Sequence, residues 1–171
     1  MEPLRSDFVG LALEVDFDAC GNATLLDEDR EGWDYLIGAV HRIAAFDADA
    51  ATEAEVASAF MNATEQVLAG GVQVLAHPFR YFRRGKRGAP KELYRPLAQM
   101  IAQSGVAAEI NYHTNEPAPE FFACCLEEGA RLALGTDSHS LVEVGEMCPH
   151  VDFLRTIGYY PGKHGPLFTG R

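Results

Sequence analysis

An α/β fold built on about five parallel strands with flanking helices is predicted by three observations. Near-continuous apolar runs of strand length recur along the chain, and amphipathic stretches of helical length lie between them. Polar residues able to do chemistry fall at the C-terminal end of each run, where parallel α/β folds form one rim.

The elements follow in order. Residues 9–15 form the first run and carry Glu14 amid apolar neighbours, a carboxylate that must be paired, protonated or bound to a cation. Residues 35–41 form the second and end on His41. A helix is expected over residues 52–69, opened by the capping-box pair Thr52-x-x-Glu55 and stopped by Gly70-Gly71. Residues 72–77 form the third run, ending on His77. A basic segment follows at once: Arg80, Arg83, Arg84, Lys86 and Arg87, five of the chain's 14 basic residues. It reads either as an anchor for an anionic substrate through forked guanidinium contacts or as a solvated loop that balances nearby acid. A second helix is expected over residues 90–104, before Gly105. The fourth strand, residues 107–112, carries Asn111 near its end, and a third helix spans residues 117–128, before Gly129. The fifth strand, residues 132–137, leads into Asp137-Ser138-His139, whose i, i+2 spacing places carboxylate and imidazole on one side of an extended chain. From Pro149 onward a helical turn at residues 152–157 is expected within loop, with His150 and His164 at the surface.

With 171 residues and 47% hydrophobic content, one domain with one core is expected. A net charge of −11 argues against a general nucleic-acid surface or an anionic-membrane binder. No apolar run approaches the roughly 20 residues that span a bilayer, and the first residues have no signal-peptide pattern, so a soluble cytoplasmic protein is expected. Cys20, Cys124, Cys125 and Cys148 lack metal or redox spacing and read as reduced, packed thiols.

Each polar strand end has a bland reading. A lone His after an apolar run is commonly a hydrogen-bonded core residue, and an Asp-x-His pair is commonly a turn or cap. Glu14, His41, His77, Asp137 and His139, at the same end of four of the five runs, point instead to a metal site. Basic residues beside such a site favour phosphoester hydrolysis over redox chemistry. A two-His-one-carboxylate set can also hold Fe(II) for oxygen chemistry, although the chain shows no cosubstrate motif.

These residues resemble the polymerase and histidinol phosphatase (PHP) domain family, particularly its small stand-alone phosphoesterases. Leu13-Glu-Val-Asp16, Trp33-Asp-Tyr-Leu-Ile-Gly-Ala-Val-His41, Leu75-Ala-His-Pro78, Ala108-Glu-Ile-Asn111 and Gly135-Thr-Asp-Ser-His139 resemble five family motifs in the family's order. Ala39, in place of the family's Ser, and the Thr-Asp-Ser-His form are mild departures. The resemblance implies a distorted (βα)7 TIM-like barrel with up to three divalent metals, commonly Zn, Mn or Fe. It implies that Glu14 bridges two metals, that His41 and His77 complete one site, and that Asp137 and His139 serve the second and third. Metal-activated water would then cleave a small phosphate monoester, histidinol phosphate being one candidate. Arg80, Arg83 and Arg84 would anchor the phosphate, and Asn111 and His113 would orient substrate. The family's first strand carries His-x-His, and here no His precedes His41, so the chain matches the family from its third strand onward. An incomplete barrel is therefore expected, roughly five of seven units of a parent near 240 residues. Open edges at the first and fifth strands would favour self-association, as a homo-oligomer or with a further segment. The alternative is a truncated or degenerate PHP domain that binds a metal without catalysis and serves a structural or interaction role.

Overall fold

The computed structural model of the protein describes residues 9–18, 21–43, 51–84 and 88–170. Cys20, Lys86 and Arg87 lie outside these, as does the side chain of Arg84. Five parallel strands form one sheet in sequence order: β1 (Ala12–Val15), β2 (Tyr35–Gly38), β3 (Val74–Leu75), β4 (Ala107–Asn111) and β5 (Leu132–Gly135). Each strand pairs only with its sequence neighbours, from Glu14 against Ile37 in β1–β2 to Asn111 against Gly135 in β4–β5. β1 and β5 do not pair with each other, so the sheet is open and compatible with an incomplete TIM-like barrel.

Helices return the chain between strands. α1 (Glu53–Ala69) carries the expected capping box, with Glu55 N–H donating to Thr52 Oγ1 at 3.2 Å and Thr52 N–H donating to Glu55 Oε2 at 2.8 Å. Gly71, at φ 77°, then turns the chain into β3. α3 (Tyr94–Ser104) ends on Gly105 in the left-handed conformation at φ 74°, and α4 (Pro119–Glu127) opens with a proline in its first turn. Between β3 and α3 lies α2 (Arg80–Arg84), which carries the start of the basic segment. Phe79 and Phe82 explain the helical turn: three residues apart, both bury against Phe60 of α1, at ring-centroid distances of 5.2 and 5.0 Å. Arg80 and Arg83 are thus carried on an element tied to the core.

The two faces of the sheet differ. Val15, Leu36, Leu75, Ala108, Ile110 and Leu132 belong to the main core, together with Val56 and Val67 of α1, Leu97 and Ile101 of α3, and Phe121 and Phe122 of α4. Gly38 lets α1 approach β2, since a Cβ there would lie 2.5 Å from Val67 Cγ1. The alternate residues form the inner face, where Tyr35, Ile37, Val74, Ala107 and Ala133 pack with Phe168. Phe168 also donates its N–H to the Leu132 carbonyl at 2.8 Å, so the C-terminal segment covers part of the free edge of β5. A cavity of about 410 Å³ opens on this inner face, with Glu14, Glu109 and Asp137 among its walls.

The tail is more ordered than its sequence suggests. α5 (Cys148–Thr156) replaces the expected turn at residues 152–157, and α6 (Pro161–His164) follows. His150, expected at the surface, is buried: its Nε2 lies 2.9 Å from the Gly135 carbonyl and its ring meets the edge of Tyr112. His150 and Phe153 share one face of α5, and the apolar pull of Phe153 on Phe122 carries the imidazole inward with it. His164 is half-buried, stacks on Tyr159 and accepts the Tyr160 N–H at 3.0 Å. Cys125 is buried, Cys124 half-buried and Cys148 exposed, all as free thiols. Among the described residues no helix is long and apolar enough to cross a membrane.

Candidate metal centre

The first three strand ends bring their polar residues together. Donor atoms of Glu14, His41 and His77 all lie within 4.8 Å of one another. Glu14 Oε1 sits 3.3 Å from His41 Nε2 and 3.8 Å from His77 Nε2. Glu14 projects from β1 on the inner face; His41 and His77 stand in the loops just past β2 and β3.

His77 is held by its backbone. Its φ of 30° departs from extended geometry, which ends β3 early, and Phe79, at φ 68°, plugs the following turn into the aromatic core. The His77 N–H donates to Glu109 Oε2 at 2.8 Å. The sequence expectations give Glu109 no role, although it meets the same criterion as Glu14, a carboxylate inside an apolar strand. Burial pushes its carboxyl up to about 7, against the lowering effect of the His77 and Asn111 hydrogen bonds. Gly135 makes room for it, because a Cβ there would lie 1.8 Å from Glu109 Oε1.

The protonation states suit a cation. Burial lowers the His77 imidazole below its ordinary value and outweighs the opposing pull of Glu14, so the ring is neutral at pH 7. Burial pushes Glu14 up, but the His77 and His41 imidazoles that face it outweigh that and hold it below the usual carboxylate range. His77 Nε2 is buried and has no hydrogen-bond partner. A buried lone pair aimed at a carboxylate oxygen is costly unless a proton or a metal ion lies between them, so the three residues fit a divalent cation. Asp16 stands behind the cluster, its Oδ1 3.4 Å from His41 Nδ1, the kind of partner that fixes a ligand imidazole's orientation.

The remaining predicted residues are arranged differently. Asp137 is not in the cluster: its Oδ2 takes the Arg80 Nη1 donor at 2.5 Å. Burial raises its carboxyl, but Arg80 overrides this and keeps it below the usual range. At φ 48° Asp137 is in a turn and not an extended strand, and the His139 Nδ1 folds back to its carbonyl at 2.8 Å. The His139 side chain is 66% exposed and stacks on His113 at 4.1 Å. Asn111 is fully buried, donating to Glu109 Oε2 at 3.2 Å and accepting the His113 N–H at 2.9 Å. Of the basic residues, Arg80 points inward and is 5% exposed, whereas Arg83 is exposed and paired with Glu116 at 2.5 Å. These contacts form an open chain that runs from Asp137 through Arg80, His41, Glu14, His77 and Glu109 to Asn111.

A parallel α/β sheet with a two-His-one-carboxylate donor set at its strand ends defines the class, that of an α/β domain whose rim could bind a metal ion. The model of the PHP domain matches residues 8–113 of the 171, more than half of the chain, and the protein belongs to that family. It is a phosphoesterase family, which together with the donor cluster supports a metal-dependent hydrolase at family level. The match includes Glu14, His41, His77, Glu109 and Asn111 and ends before Asp137 and His139. No curated protein matches the chain.

Proposed function

We propose that the protein is a metal-dependent phosphoesterase that hydrolyses a small phosphate monoester, histidinol phosphate being one candidate. The observation that carries this reading is the cluster of Glu14, His41 and His77 around the buried, unpartnered Nε2 of His77. These three residues would hold a divalent ion such as Zn, Mn or Fe and leave coordination positions open. When bound, the ion supplies Lewis acidity for the phosphoryl group and acidifies water.

The chain's own residues do the rest. Glu109 fixes the His77 backbone, and Asp16 orients His41. His113 would orient substrate at the rim, and the buried Asn111 would do so through it, by accepting the His113 N–H. Arg80, Arg83 and Arg84 are the anchors for the phosphate, Arg80 foremost because its guanidinium already reaches His41 at 3.3 Å.

The test is metal analysis of the purified protein together with phosphate release from a panel of monoesters, with Glu14→Ala, His77→Ala and Asp137→Ala alongside. Retained metal and turnover in Glu14→Ala would sink the reading. One observation favours a second reading, a degenerate domain that binds a metal without catalysis: Asp137 is tied to Arg80 and not to the cluster. Metal occupancy with no phosphate release from any ester would support it.

A further inference from the structure

Arg80 does more in this structure than wait for an anion, and we propose that it is a built-in competitor of the metal ion, holding His41 and Asp137 until an ion and an anionic substrate displace it together. The inference rests on the metal reading of Glu14, His41 and His77. A guanidinium can only donate, so the Arg80 Nη2 contact to His41 Nε2 at 3.3 Å uses that nitrogen's single lone pair. The same nitrogen faces Glu14 Oε1 at 3.3 Å, while Nδ1 faces Asp16. His41 therefore cannot serve Arg80 and an ion in the cluster through Nε2 at once. The other arm of the fork, Nη1, holds Asp137 at 2.5 Å, so one buried cation occupies donors on two separate strand ends.

The device is mechanically tied to the ligand loop. Arg80 opens α2 three residues after His77, and its backbone N–H donates to the His77 carbonyl at 3.0 Å. An ion that takes His41 leaves a guanidinium short of one partner in a buried position, and a phosphate group offers the matching bidentate acceptor. Ion and phosphate then bind with positive coupling, each tightening the other by the same factor.

The experiment is calorimetric titration of the full chain with Mn²⁺, with and without inorganic phosphate, in the wild type and in Arg80→Gln and Arg80→Lys. The lysine variant keeps a charge beside Asp137 for folding but cannot bridge both partners. The expected result is Mn²⁺ binding about ten-fold tighter in Arg80→Gln than in the wild type without phosphate, and at least several-fold tighter in Arg80→Lys. Phosphate should tighten Mn²⁺ binding in the wild type and do so less in Arg80→Gln. A plain anchor for substrate would leave Mn²⁺ affinity without phosphate unchanged. If the wild type binds Mn²⁺ and neither folded variant binds it more tightly, the competitor role is overturned while the metal site stands. If no form binds Mn²⁺, Zn²⁺ or Fe²⁺, the metal site falls and this inference with it.

Discussion

Glu14, His41 and His77, from the first three strand ends, turn their donor atoms toward one another, whereas Asn111, His113, Asp137 and His139, from the last two, turn theirs toward each other and Arg80. Both groups sit on the same rim of the same sheet. The difference lies in what already satisfies each lone pair. In the first group the His77 Nε2 lacks a partner and Glu14 faces two imidazole nitrogens; in the second, Asp137 already has a guanidinium. A rim position alone does not make a ligand.

The largest expected effect separates the two groups directly. Glu14→Ala or His77→Ala should weaken divalent-metal binding by about 100-fold or more, read as metal content after dialysis, while His139→Ala changes it by less than about three-fold. Equal losses in all three would erase the distinction. Next, Phe79→Ala should cost about 3–5 kcal/mol in chemical denaturation, because its ring contacts Phe60, Phe82, Tyr94 and Phe121, and it should loosen the His77 turn so that metal affinity falls too.

Glu109 gives a pH signature in the metal-free protein. Its folded-state value, raised from 4.5 to about 7, means that the proton is held more tightly when folded, so its contribution is fully present below pH 4.5 and is lost as pH rises toward 7. The shift corresponds to at most about 3 kcal/mol. Glu109→Gln should flatten the melting temperature across that window, and an unchanged slope would show that the carboxyl titrates elsewhere. Gly135→Ala should destabilise by about 1–3 kcal/mol through its clash with Glu109, and Glu109→Ala should relieve most of it, as a double-mutant cycle would show. Smallest of all, Arg83→Ala should shift stability by less than about 0.5 kcal/mol, because its pair with Glu116 is solvent-exposed.

The strand runs, the capping box at Thr52 and the cluster residues were legible in the sequence because each is a local signal: an apolar run, a spacing, a carboxylate where none belongs. Strand ends were less so. His77 and Asp137 leave the extended conformation through positive φ values that neither residue type announces. The Arg80–Asp137 pair spans 57 residues and was invisible to any window of sequence. Arg80 was grouped with its basic neighbours by composition, yet Phe79 and Phe82 determine which of them faces inward. His150 was misplaced because its burial follows from Phe153, not from its own polarity.

The strictly sequential pairing of β1 through β5 has a kinetic consequence. Every ladder joins neighbouring segments, so the sheet can grow one strand at a time, each step closing a single crossover. The chain of polar contacts cannot, because its Arg80–Asp137 link forms only once β5 has docked. Closure of that link should therefore lag behind helix formation during refolding, whereas the Glu14, His41 and His77 donors, from the first three strand ends, can gather before it.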